Sequence, residues 1–151
     1  MLENCASAKE RWGGVNDIID RWLQERQDML VQYCQLSESS ADANTGERVQ
    51  KLCQIMVDYV SAGHFEVYDQ LVKEGRDFED QEALKEASEL FGRIDVTTEF
   101  ALDFNDKYLE TDDLETIATD LSKLGEILAS RFDAEDRMIE VLHTAHKDLV
   151  V

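Results

Sequence analysis

VDYVSAGHFEVYD, residues 57–69, is the stretch on which the fold is decided. At about 100° per residue, Leu52, Met56, Tyr59, Val60, Gly63, Val67 and Leu71 share one face at spacings of three and four, the pattern of a core-facing helix. A mid-helix glycine costs about 1 kcal/mol relative to alanine. Gly63 is therefore read as a notch, where another backbone approaches or a side chain docks. The opposite face holds Asp58, Ser61, Ala62, Phe65, Asp69 and Val72, which points Phe65 away from the core. Single apolar residues on a surface are ordinary, but an aromatic ring among acids also suits contact with a partner.

Working outward, the composition favours long helices. Proline is absent and glycine sparse, which suits uninterrupted helices and disfavours the many turns of a sandwich or barrel. A chain of 151 residues has the size of one domain and buries about 70 % of its unfolded surface, so residues 1–151 are expected to form a single domain without metal or disulfide. Cys5, Cys34 and Cys53 are odd in number and lack CxxC spacing, so reduced thiols filling the core of a cytoplasmic protein are expected. The first twelve residues are charged, and no run nears the ~18 apolar residues of a membrane span; neither signal peptide nor anchor is expected. With 15 Lys and Arg against 34 Asp and Glu, the formal charge is −19. Such a field repels phosphate backbones and anionic lipid, which disfavours nucleic-acid and membrane binding, and it attracts a basic protein domain.

Periodicity predicts four helices. The first starts near Asn4, is loosened at Gly13 and Gly14, and continues to about Leu36, with a buried stripe of Val15, Ile18, Ile19, Trp22, Arg26, Met29 and Tyr33. Its other face carries Asp20, Gln24, Gln27 and Val31. LSESSADANTGE, residues 36–47, reads as the first loop. The second helix runs from about Gly46 to Glu74 with Gly75 as its C-cap, and Asp80 is placed to cap the third. The third repeats Ala83, Ala87, Leu90, Ile94, Thr98, Ala101, Asn105 and Tyr108. Asp112 with Glu115 resembles a capping box that opens the fourth, whose stripe is Leu114, Ile117, Leu121, Gly125, Leu128, Phe132, Glu135, Ile139 and Val150. The expected fold is all-α, an antiparallel up-down-up-down four-helix bundle.

Several residues invite a chemical reading. Glu140 and His143 form an ExxH pair, with His146 one turn further, but a ferritin-like di-metal site needs a second ExxH and glutamates from two other helices. No CxxCH supports haem. His64 could accept a phosphoryl group, as in phosphotransfer bundles, but the surrounding HFEVYD supplies acids instead of a cation. His64 is read instead as a hydrogen-bonded histidine on the shoulder of the core. Cys34 and Cys53 have no evident histidine base. The chain is expected to be no enzyme and to need no cofactor. A helical phosphotransfer or cofactor- or metal-binding protein stays open as the alternative to a protein-binding regulator.

VDYVSAGHFEVY, with IIDRWLQER at 18–26 and RFDAEDRMI at 131–139, resembles the Rsd/AlgQ family of bacterial anti-sigma factors, and the opening MLEN and ERWGG are similar to its AlgQ branch. The likeness spans three of the four predicted helices. It implies a cytoplasmic bundle that binds region four of the housekeeping sigma factor, one to one, and sequesters it from RNA polymerase and promoter DNA. On that reading the contact surface is the outer face of the second helix, Asp58, Ser61, Ala62, Phe65 and Asp69, with Gln24, Gln27 and Val31 of the first helix beside it. Arg26 and Glu135 fall on the apolar stripes of the first and last helices, which are neighbours in such a bundle. They are expected to meet as a buried ion pair and, with His64, to form a structural polar core.

Overall fold

The structure, a computed structural model, describes residues 2–38, 45–110 and 114–145, with the side chains of 17–38, 45–109 and 114–145. It is all-helical, with no strand among the described residues. Among the described residues four rods follow one another: α1 (Leu2–Glu38); a composite rod of α2 (Thr45–Ala62), a wide π-helical turn (Gly63–Val67) and α3 (Tyr68–Asp77); α4 (Gln81–Glu110); and α5 (Ile117–Ile139), which ends in a second π-helical turn (Glu140–Thr144). The first rod passes through Gly13 and Gly14 without a break, contrary to the expected loosening.

The rods bury the predicted stripes. Leu52, Met56, Tyr59, Val60, Val67 and Leu71 are at most 5 % exposed, and Trp22, Met29, Ala87, Ile94, Leu124 and Leu128 join them in one core. Each fully buried large apolar side chain contributes about 1.5–3 kcal/mol of transfer free energy, so the stripes hold the rods together. Contacts between α4 and α5 run in opposite chain order. Glu86 meets Arg137, Thr97 and Thr98 meet Arg131, and Asp120 meets Lys107. Between α1 and α5, Arg26 reaches Glu135 while Tyr33 donates to the Leu121 carbonyl.

The composite rod departs from one straight α-helix, and Trp22 is at the departure. Its indole N–H donates to the Tyr59 carbonyl at 3.1 Å, and a Cβ added to Gly63 would lie 3.1 Å from its ring. A side chain that takes a carbonyl from the i→i−4 ladder is a recognised cause of helix distortion. Downstream, the Tyr68 N–H bonds the Gly63 carbonyl across five residues. The extra residue delays the buried face by one position, so that Val67 with Tyr68, Leu71, and Glu74 with Gly75 face inward. The notch at Gly63 is thus filled from inside, by Trp22 and the Tyr68 hydroxyl.

Gly75 is not the C-cap. It is buried inside α3, where an added Cβ would stand 2.7 Å from Leu142 and 2.9 Å from Leu84, so its smallness lets three rods approach. The helix continues to Asp77, and the positive φ of the turn belongs to Glu79. Asp80 does cap the next helix, accepting from the Ala83 N–H at 3.0 Å. The capping box does not open the last rod: Asp112 lies outside the described residues, Glu115 is exposed in a turn, and α5 begins at Ile117. The Asp120 carboxylate in its first turn accepts from Lys107 and the Tyr108 hydroxyl, which holds it below its usual range and ties α5 to α4. Among the cysteines, Cys53 is buried and its thiol pushed up to about 11 by burial, whereas Cys34 is exposed and fills no core. Cys5 and Val15 lie outside the described side chains, and Val150 and His146 outside the described residues.

Candidate functional site

Two features stand out where the composite rod faces its neighbours: a polar cluster inside, and an aromatic ridge outside. Inside, the Glu135 carboxylate, 1 % exposed, is surrounded. Oε1 accepts from the Tyr59 hydroxyl at 2.5 Å and Arg26 Nη2 at 3.4 Å, and Oε2 from the Tyr68 hydroxyl and Arg131 Nε at 3.2 Å. Each tyrosine in turn accepts from an arginine, Tyr59 from Arg26 Nε and Tyr68 from Arg131 Nη2, both at 3.0 Å. Two arginines and two tyrosines thus clasp one acid from opposite sides. Arg131 completes its bonding with Thr97 and Thr98, and Arg26 with Asp136 at 2.7 Å, its guanidinium lying over Phe132. Burial pushes Glu135 up from its ordinary value, while Arg131, the two tyrosines and Arg26 pull against it. Burial and the Glu135 charge also push both tyrosine hydroxyls far upward, so they stay protonated donors.

Arg26 and Glu135 therefore do approach, at 3.4 Å, but as the outer edge of a larger set. Sequence reasoning missed Arg131 and Tyr68. The arginine sits four residues before Glu135, where a long cation reads as a surface residue. The tyrosine is turned inward only by the π-helical turn, of which a mid-helix glycine was the single sign. His64 does not belong to this polar core: the wide turn leaves it exposed, edge-on to the Phe65 ring. A second buried pair was also missed. His143 Nδ1 lies 2.8 Å from Glu74 Oε2, both side chains under a tenth exposed, while Glu140 stays exposed, so the ExxH residues diverge.

Outside, Phe65 is 73 % exposed. Asp58, Asp69, Gln24, Gln27 and Val31 are exposed as well, and Ser61 and Ala62 are half-buried. Asp58 faces α1: with Glu66 it raises the carboxyl of Glu25, which burial has already pushed up. Ser61 and Phe65 have a different neighbour, for both line a groove of about 250 Å³ whose far wall is α4. The outer face thus has an acidic flank toward α1 and an apolar flank toward α4.

The described residues thus form an acidic all-α protein with an interlocked polar cluster inside and an aromatic ring presented on an acidic face. Residues 1–143 match the family described as regulator of RNA polymerase sigma(70) subunit, Rsd/AlgQ, and the chain belongs to that family. It is similar to the regulator of sigma D of Enterobacter sp. (strain 638), 34 % identical over 149 residues, 92 % of this chain and 88 % of that protein. The regulator of sigma D of Salmonella arizonae is 33 % identical over 158 residues, covering 98 % and 95 %. That of Yersinia pseudotuberculosis (strain YPIII) is 32 % identical over 152 residues, covering 93 % and 88 %.

Proposed function

We propose that this chain acts as an anti-sigma factor in the cytoplasm, binding region four of the housekeeping sigma factor one to one and withholding it from RNA polymerase and promoter DNA. The observation that carries the reading is the exposed Phe65 among acids on the outer face of the composite rod, in a chain of this family. The chain acts by occupancy. A sigma domain that reads promoter DNA is basic, and a partner of charge −19 steers it into contact and covers its DNA-binding face without chemistry. Asp58, Ser61, Ala62, Phe65, Asp69, Gln24, Gln27 and Val31 supply the contact, an apolar anchor within a polar rim. The up-down-up-down arrangement ascribed to the bundle is supported by the opposed contact order along α4 with α5 and α1 with α5.

Size-exclusion chromatography of the chain with purified housekeeping sigma factor at micromolar concentration and low salt tests the reading. A 1:1 complex is expected, whose formation slows as salt rises, since opposite charges are screened within ~8 Å at physiological ionic strength. Phe65→Ala is expected to cost about 2 kcal/mol of affinity or more with an unchanged melting temperature, because its ring leaves the core untouched. Failure of sigma to co-migrate with the chain would refute the reading.

A further inference from the structure

The outer face does not end at Phe65. Across the groove, α4 presents Leu102, 42 % exposed, with Ile94 deeper, opposite Val60 and Tyr68 of the composite rod. The floor is formed by Thr98 and Arg131, and the Arg131 guanidinium is engaged by Glu135, Thr97, Thr98 and Tyr68. The floor therefore has little cation left for an anionic ligand. At the rim stands Asp95, and Glu99, Asp103 and Asp106 are exposed along the same helix. A volume of about 250 Å³ falls below the ~300–1,000 Å³ of a typical small-molecule site; it is the scale of a bulky side chain.

We propose that this groove receives an apolar side chain projecting from a basic helix of the partner, with a lysine or arginine one turn along that helix pairing with Asp95. Residues three and four apart on a helix are surface neighbours, so one partner turn places an anchor between Phe65 and Leu102 and a cation at the rim. The acids along α4 favour a cationic occupant over an acidic one. The inference rests on the sigma-binding reading and extends it: α4 becomes part of the contact surface, with Leu102 as the opposing wall and Asp95 as the charge that orients the incoming helix.

The test is isothermal titration of full-length chain with purified housekeeping sigma factor, comparing wild type, Phe65→Ala, Leu102→Trp and Asp95→Asn. Leu102→Trp fills the groove and is expected to lower affinity about tenfold or more, in the range of an interface anchor. Asp95→Asn is expected to lower it a few-fold at low salt, with the difference closing as salt is raised. Melting curves should be unchanged for both, since both residues are exposed. Should tryptophan disturb the melt, Leu102→Lys at the same exposed position opposes the basic helix directly and must weaken binding. If Phe65→Ala weakens binding while the Leu102 variants bind like wild type, the groove is overturned and the sigma-binding reading stands. If wild type has no affinity for sigma, both fall.

Discussion

Glu135 and Glu74 are both buried acids, yet they are held in different ways. Glu135 has both oxygens occupied, by two hydroxyls and two guanidinium groups. Glu74 has one bond, to His143, and its Oε1 is buried with no hydrogen-bond partner among the described residues. Leaving a buried polar atom unpaired costs about 1–3 kcal/mol. Among the described residues, then, Glu135 has the fuller set of partners. The first cluster is thus a fastener that ties together all four rods, through Arg26, Tyr59 and Tyr68, Thr97 and Thr98, and Arg131 with Glu135, whereas the second joins the composite rod to the last.

The largest effect should follow from breaking the better-satisfied site. Arg131→Met strands Glu135 without its fully buried cation and is expected to cost about 3–5 kcal/mol, read from urea denaturation. A loss below about 1 kcal/mol would mean that the cluster fastens nothing. His143→Leu should cost less, about 1–3 kcal/mol, and adding Glu74→Met to it should recover part of the loss, because the double variant no longer leaves the Glu74 carboxylate without its imidazole. If the double variant is worse than the single one, the contrast drawn here between the two acids is wrong.

A smaller effect is expected from the double-mutant cycle of Arg26→Met and Glu135→Gln. Arg26 keeps 13 % side-chain exposure and makes its shorter contact to Asp136, so their coupling should be about 1 kcal/mol, short of a fully buried pair. The smallest concerns Glu25, whose carboxyl is raised by burial and by the charges of Asp58 and Glu66. A raised carboxyl supports the fold while protonated; that support is complete below its ordinary range and is lost as pH rises through the raised value. Glu25→Gln should therefore raise the melting temperature more at neutral pH than near about pH 4, as thermal denaturation by circular dichroism would show. An equal change at both would remove the acidic flank from the account.

The apolar architecture was legible because a helix repeats. Leu52, Met56, Tyr59, Val60, Val67 and Leu71 are buried as spacing requires, and the phases of Arg26 and Glu135 brought the first and last rods together. What was not legible depends on contacts that leave no periodic trace. The π-helical turn arises because Trp22, distant in sequence, takes the Tyr59 carbonyl, and it turns Tyr68 inward while leaving His64 exposed. Gly75 looked like a terminator, since close packing against Leu84 and Leu142 is invisible from its neighbours. On the surface the outward aromatic ring of Phe65 was foreseeable from the wheel. Its apolar neighbour on α4 was not, because Leu102 taken alone is an ordinary surface leucine.

The wide turn also has a kinetic side. It divides the composite rod into helices of 18 and 10 residues, and an isolated helix shorter than about 12–15 residues is marginal in water. The longer piece can persist locally as the chain emerges. The shorter one, with Tyr68, Leu71 and Glu74 on its inner face, is expected to hold only once α4 and the last rod cover it, which hydrogen exchange during refolding would show as late protection of residues 68–77. Phe65 lies in the wide turn between the pieces, so the finished outer face is expected to appear with that late step.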